Sequence, residues 1–282
     1  MNKIKAFIFI IILTLSLVLL TNNCSYSVTP KKGSIVIYGD TRTNHTIHRK
    51  IVSQIEKIEP KAVFNTGDLV ADGNNPDYWD IFNSITANLR ANYPYYPAIG
   101  NHERDSYLFY LNFSNIPFVG GHKAWYEVKI DSISFIILDS NKDLSTSSEQ
   151  YQWFINALSS SDSSSFIVVI FHHPIFDVGA HSPDEKGIGD YLLPVFKTYR
   201  VNAVFNGHDH NYQRFYYNGT YHIITGGGGA PLYGKSRTSP YNQKFIKDHN
   251  FCTLNVINGK LEIEAFNDIL ARLDLIDIDP IH

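Results

Sequence analysis

With 282 residues, an apolar fraction of 44% and 18% charged residues, the chain has ample material for a buried core and too few charges for a disordered acidic or basic tail protein. A net charge of −3 argues against nucleic-acid binding through broad phosphate neutralisation, so no nucleic-acid-binding patch is expected. A phosphorylated small molecule stays open as a partner, because a metal site supplies its own positive field.

The first segment is basic and then apolar. Lys3 and Lys5 precede a run from Ala6 to Leu20 interrupted only by Thr14 and Ser16. That run is shorter than the roughly 18–20 residues a spanning helix needs, so residues 1–23 read as an export signal, with an uncleaved anchor as the alternative. Leu20-Thr21-Asn22-Asn23-Cys24 resembles a bacterial lipobox, although Asn23 is larger than the usual small residue before the cysteine. Lipidation at Cys24 would attach the chain to a membrane surface without spanning it. The expected location is therefore exported: a periplasmic or cell-surface lipoprotein, otherwise secreted. Cys252, the only other cysteine, lies in an apolar stretch and reads as a small buried hydrophobe.

Residues 24–33 form a tether, residues 34–275 one domain, and residues 276–282 a C-terminal tail. Within the domain the pattern alternates. A buried strand at 34–38 is followed by a helix over 44–59 with apolar residues Ile47, Ile51, Ile55 and Ile58 on one face. A strand at 62–65 precedes a helix opening at Pro76, a favoured first-turn residue, and running to about Leu89. A short strand ends at Ile99, and strands at 125–131 and 133–138 follow as a hairpin or neighbours. Then come a helix at 148–158, a serine-rich surface loop at 159–165, a strand at 166–171, a helix at 191–199 and a strand at 203–205. Strands at 212–217, 221–225, 251–257 and 261–266 close the domain. Alternation followed by a run of strands suggests layered sheets with helices packed outside.

Five of these elements end in polar clusters: Gly39-Asp40-Thr41-Arg42, Gly67-Asp68-Leu69, Gly100-Asn101-His102-Glu103, His172-His173-Pro174 and Gly207-His208-Asp209-His210. Loops at the carboxyl ends of strands in an open α/β sheet can converge on one ligand. Asp40, Asp68, Asn101, His172, His208 and His210 offer two carboxylates, an amide and three imidazoles, a donor set suited to Mn, Fe or Zn. Asp68 is placed to bridge two ions, as in two-metal hydrolases. Each piece alone has a plain explanation: Gly-Asp as a turn, Gly-Asn-His-Glu as a helix cap, His172-His173 as a core pair. Their joint occurrence at successive strand ends does not.

In this order the clusters resemble the successive blocks of the calcineurin-like metallophosphoesterases, over about residues 35–266. The string from Gly207 to Arg214 and the run from Thr225 to Pro231 are similar to the purple acid phosphatase branch. The resemblance implies an α/β fold, a four-layer αββα sandwich of two mixed β-sheets flanked by helices. It further implies hydrolysis of phosphate mono- or diesters through a hydroxide bound to a dinuclear centre of divalent or trivalent ions. In that pattern Asp40, Asp68 and His210 hold the first ion, Asp68 bridges, and Asn101, His172 and His208 complete the second. His102 is the catalytic residue, protonating the leaving oxygen or stabilising phosphoryl charge, with Glu103 orienting it or favouring a helix N-terminus.

Two departures stand out. Arg42 occupies a position where the family often has histidine, and arginine cannot ligate a metal. It either clamps phosphate oxygens as a substrate-binding residue or forms a structural ion pair. Ala71 stands where purple acid phosphatases carry a ligand tyrosine, so iron–tyrosinate chemistry is not expected. His173 either contacts substrate or packs beside its neighbour. His45 or His48 could restore the missing imidazole, but both lie on the following helix and read as surface residues; His181 and His222 could reach the site, but each reads more readily as a surface or core histidine. Gly226 to Gly229 either wraps an anion or forms a tight bend. The alternative to an enzyme is a non-catalytic metal- or phosphate-binding module of the same fold, motivated by Arg42.

Overall fold

The computed structural model describes residues 29–161 and 166–280. The export segment at 1–23, the lipidation candidate Cys24 with the tether as far as residue 28, and part of the serine-rich loop lie outside the described residues. Among the described residues no helix is long and apolar enough to cross a membrane.

The first half alternates strands and helices: β1 (Ile35–Tyr38), α1 (His45–Ile58), β2 (Ala62–Asn65), α2 (Pro76–Asn92), β3 (Tyr95–Pro97) and the short α3 (Tyr107–Asn112). Then follow β4 (Tyr126–Ile130), β5 (Ile133–Ile137), α4 (Glu149–Ser159), β6 (Phe166–Ile170), α5 (Gly189–Thr198) and β7 (Ala203–Asn206). The chain closes with β8 (Tyr212–Tyr217), β9 (Thr220–Thr225), β10 (Asn242–Ile246), β11 (Asn250–Ile257), β12 (Lys260–Asn267) and β13 (Arg272–Ile278).

Two mixed sheets result. One has six strands in the order β13-β12-β11-β1-β2-β3, and the other has seven in the order β10-β8-β9-β7-β6-β5-β4. In the first, β1, β2 and β3 run parallel and β11 joins β1 antiparallel. In the second, β5, β6, β7 and β9 are parallel, with β4 and β8 antiparallel to their neighbours.

Side-chain parity builds the layers. In β6, Phe166, Val168 and Ile170 join the large core shared with the first sheet, whereas Ile167, Val169 and, just past the strand, Phe171 join the core under α4 and α5. In β5 the same split separates Phe135 from Ile136. Phe64 of β2 stacks on Phe135 of β5 with ring centres 4.2 Å apart, which locks sheet to sheet. Strands buried on both faces read as continuous apolar runs because successive side chains serve different layers. On the far side of the first sheet, α1 buries Ile51, Val52, Ile55 and Ile58. The side chain of Asn75 caps α2 by accepting from the Asp77 N–H, and Pro76 opens its first turn. The architecture is the expected αββα sandwich.

Three elements differ from expectation. α3 is too short to show a period. β10 is a half-exposed edge strand without apolar alternation. β13 pairs with β12 as far as Ile278, so the sheet continues past residue 275 into the segment read as a tail. Its inward set is Asp274, Ile276 and Ile278, and the leading aspartate hides the alternation. Asp274 is buried because Tyr212 Oη and Arg214 Nε donate to it at 3.0 and 2.7 Å. His48 is also a correction: it is buried, stacked on Phe82 at 5.8 Å, and is a core residue rather than a surface one.

Candidate metal centre

The five polar clusters leave β1, β2, β3, β6 and β7 and meet where the two sheets present their carboxyl ends. Their backbone is unusual. Asp40 and Asp68 both have φ of 55° and His208 has 69°, left-handed values that non-glycine residues seldom adopt and that functional sites tend to store. Gly67, at φ 101°, is required for a second reason: a Cβ there would lie 2.7 Å from His172 Nδ1.

Cross-loop bonds hold this backbone in place. The Asp40 N–H donates to Gly67 O at 3.0 Å, and the Thr41 N–H to Asp68 O at 3.0 Å. The His208 N–H donates to both oxygens of Asp40, at 3.1 and 3.0 Å. Glu103, fully buried, accepts from the Asp68 and Gly100 N–H groups through one oxygen, at 2.9 and 2.7 Å. Its other oxygen accepts from Leu69 and Val70, at 2.8 and 3.3 Å. Glu103 therefore staples two loops together and does not orient His102. That ring is held instead by Ala71 O, which accepts from His102 Nδ1 at 2.7 Å.

Lone pairs converge in the space these loops enclose. His172 Nδ1–H is used on Thr66 O at 2.9 Å, so its Nε2 is a bare lone pair. That Nε2 lies 3.1 Å from Asn101 Oδ1 and 3.4 Å from Asp68 Oδ1, acceptors facing an acceptor. His210 repeats the arrangement, with Nδ1–H on Pro231 O at 2.8 Å and Nε2 3.6 Å from Asp40 Oδ1. Donor atoms of Asp40, Asp68 and His210 all lie within 4.8 Å of one another, as do those of His172, His173 and His208. Acceptors gathered this closely without hydrogens between them fit a cation, and the mixed carboxylate, amide and imidazole set fits Mn, Fe or Zn.

Electrostatics agree. Burial and the neighbouring Asp68 hold the Asp40 carboxyl well above the usual carboxylate range. Burial also raises Asp68, but His172, His102 and Arg42 outweigh it and leave its pKa lowered. Burial pushes His210 down to about 4 and His172 downward too, so both rings are neutral near pH 7 with lone pairs available. Two carboxylates facing each other in a buried cleft call for positive charge.

All six predicted ligand residues are thus brought together, with Asn101 on the exposed side. His102 lies beside them, its Nε2 3.8 Å from Asp68 Oδ2. His173 packs 4.6 Å from the His208 ring and bonds Ser140 Oγ through Nδ1 at 2.8 Å. Arg42 reaches into the donor set, its Nε 3.2 Å from Asp68 Oδ2 and an Nη 3.2 Å from His210 Nε2.

Other expectations change. His181 belongs to the site, its ring 3.8 Å from that of His208. His222 is a core residue against Phe176, with no bond to either ring nitrogen among the described residues. The glycine run is a tight crossing: the Gly228 N–H donates to Gly39 O at 2.8 Å, and a Cβ at Gly226 would meet Asp209 O at 2.3 Å. Cys252 is buried with its thiol pushed up to about 12 by burial, an inert hydrophobe as expected.

Two neighbours were not anticipated. Glu185 accepts from His208 Nε2 at 3.0 Å and lies 3.4 Å from His181 Nδ1. Its spacing of four residues after His181 is the only sequence signal for it. Tyr233 stacks on His210 at 4.3 Å, from a loop with no motif of its own.

Residues 33–212 match the family model described as calcineurin-like phosphoesterase. The chain is 25% identical over 244 residues to the probable inactive purple acid phosphatase 24 of Arabidopsis thaliana, covering 72% of this chain and 39% of that protein. It is 28% identical over 211 residues to purple acid phosphatase 1 of Ipomoea batatas, covering 66% of this chain and 44% of that protein. Among solved structures, a purple acid phosphatase from seeds of yellow lupin superposes with a TM-score of 0.77 at 22% identity, covering 89% of this chain and 55% of that one. The chain spans about two fifths of the length of these curated relatives.

Proposed function

The chain belongs to the calcineurin-like phosphoesterase family, and from that premise we propose that it hydrolyses phosphate mono- or diesters of small molecules at a centre of two ions, Mn, Fe or Zn. The observation that carries this is the convergence of acceptor atoms from Asp40, Asp68, Asn101, His172 and His210, those of Asp68 and His210 met by the Arg42 guanidinium, with a ring nitrogen of His208 close by. Asp40, Asp68 and His210 would hold one ion and Asn101, His172 and His208 the other, with Asp68 shared. When bound, the ions supply electrophilic charge to phosphoryl oxygens and lower the pKa of water.

The chain's own residues do the rest. His102, anchored through Nδ1 on Ala71 O, turns Nε2 towards the centre. In its protonated form that nitrogen donates to the leaving oxygen or stabilises phosphoryl charge. Arg42 carries a planar donor fork suited to phosphate oxygens, and His173 lines the approach beside His208. We place the protein outside the cytoplasm, as a periplasmic or cell-surface lipoprotein attached through Cys24 or otherwise secreted. The basic and then apolar N-terminus supports this placement.

A second reading, a metal- or phosphate-binding module without turnover, is favoured by Arg42 lying against Asp68 and His210. The name "probable inactive" carried by three relatives points the same way. The test is a panel of aryl phosphate mono- and diesters assayed with Mn, Zn or Fe before and after chelation. Turnover that disappears with the metal supports the enzyme. Bound ions with no turnover on any ester supports the module, and turnover indifferent to chelation refutes both.

A further inference from the structure

Arg42 is not merely near the first ion position; its head group uses the lone pairs that an ion there would need. Its Nε donates to Asp68 Oδ2 at 3.2 Å, and an Nη donates to His210 Nε2 at 3.2 Å. His210 has only that one free lone pair, because its Nδ1–H is engaged on Pro231 O. The carboxyl of Asp40 lies 3.6 Å from the same His210 nitrogen. The planar guanidinium presents its donors in a rigid fork, and the side chain is only 17% exposed.

The other half of the centre is different. His172 bonds Thr66 and faces Asn101 and Asp68, and His208 bonds Glu185. Among the described residues no arginine or lysine hydrogen-bonds to His172, His208 or Asn101. One ion position is therefore open to a metal, and the other already holds a positive charge supplied by the chain.

We infer that Arg42 acts as a built-in cation at the first ion position, so that the chain takes up its two ions with unequal affinity. The ion at Asp68, Asn101, His172 and His208 binds directly. The ion at Asp40, Asp68 and His210 binds only by displacing Arg42 from Asp68 and His210. Displacement frees the guanidinium fork at the edge of the centre, where a phosphate group can take it up. Binding of the second ion and readiness for an anionic ligand are then one event. The inference rests on the two-ion centre proposed above.

The test uses the whole chain stripped of metal and titrated with Mn²⁺ or Zn²⁺ alone, followed by calorimetry and by competition with a chromogenic chelator. The wild type should bind two ions with dissociation constants at least about tenfold apart, the scale of one charge-assisted hydrogen bond. Arg42→Gln and Arg42→His should each tighten the weaker site by about tenfold or more and leave the tighter one within about twofold. Arg42→Lys, which keeps a charge but loses the fork, should fall between. Thermal unfolding of each metal-free variant identifies any that does not fold, and the remaining variants carry the comparison. Two equal affinities in the wild type, or a weaker site that R42Q and R42H leave unchanged or loosen, would overturn the inference while leaving the metal centre intact. A wild type and R42H that both bind no ion would overturn the inference and the proposed function together.

Discussion

Replacing Glu103 by glutamine changes one oxygen for an NH₂ group and nothing else in shape. Each carboxylate oxygen faces two backbone donors: Asp68 and Gly100 on one side, Leu69 and Val70 on the other. Whichever way the amide is turned, its NH₂ confronts two N–H groups that then have no acceptor. A buried donor left without a partner costs about 1–3 kcal/mol, so the pair costs roughly 2–6 kcal/mol. That is a large part of the ~5–15 kcal/mol that typically holds a domain together.

The comparison belongs at about pH 9, because burial and the neighbouring Asp68 push the Glu103 carboxyl up to about 8 and the ionised form must be the one compared. Equilibrium urea unfolding of wild type and E103Q, followed by circular dichroism with a chelator present, reads the difference directly. Metal affinity should fall as well, since the Asp68 backbone at φ 55° is held by one of these bonds. A loss of less than about 1 kcal/mol would refute the idea that this carboxylate staples the two loops.

Glu185→Gln should weaken one of the two ions by about 10- to 100-fold, because Glu185 is the side chain that orients the His208 ring; calorimetric titration of the metal-free protein measures it, and unchanged affinities would count against that role. His222 has no hydrogen-bond partner among the described residues, and burial lowers its pKa from 6.5 to about 3. The unfolded chain therefore binds the extra proton across that window, and stability is full above about pH 6.5 and is lost as pH falls towards about 3. The loss from this ring is on the order of 5 kcal/mol, so His222→Leu should flatten the acid limb of a denaturation series, and an unaltered limb would show that other groups dominate.

Much of the fold was legible because its strands are unusually plain. Ile133 to Leu138 and Phe166 to Phe171 are apolar at nearly every position, since both faces of their sheet are covered. β13 was hidden by Asp274, an inward carboxylate made acceptable by Arg214, Tyr212 and Lys244, all distant in sequence. β10 and α3 lack a period to read.

The candidate centre follows the same division. Its six donor residues sit in short strings at strand ends, where Gly-Asp and His-x-His are visible as patterns. Glu185 and Tyr233 are brought in by loops whose course depends on the folded sheets, and the one local mark is the spacing of Glu185 four residues after His181. Glu103 was visible but assigned the wrong partner, because a carboxylate next to a histidine suggests a side-chain pair. Four backbone donors from two loops claim it instead. The same limit applies to Arg42: its departure from the family pattern is plain in sequence, but its contact with His210, so far along the chain, is not.

The central claim is that these loops form a metal-dependent phosphoesterase centre with Asp68 shared between its two halves. Asp68→Asn tests it most directly, because it keeps the shape and removes the charge that both halves use. The measurement is aryl phosphate hydrolysis by wild type and D68N, each reconstituted with the same metal and checked for folding by thermal unfolding. The account predicts metal-dependent turnover in the wild type and a loss of about 1000-fold or more in D68N. Equal turnover in the two folded proteins, or turnover in the wild type that survives removal of the metal, would contradict it.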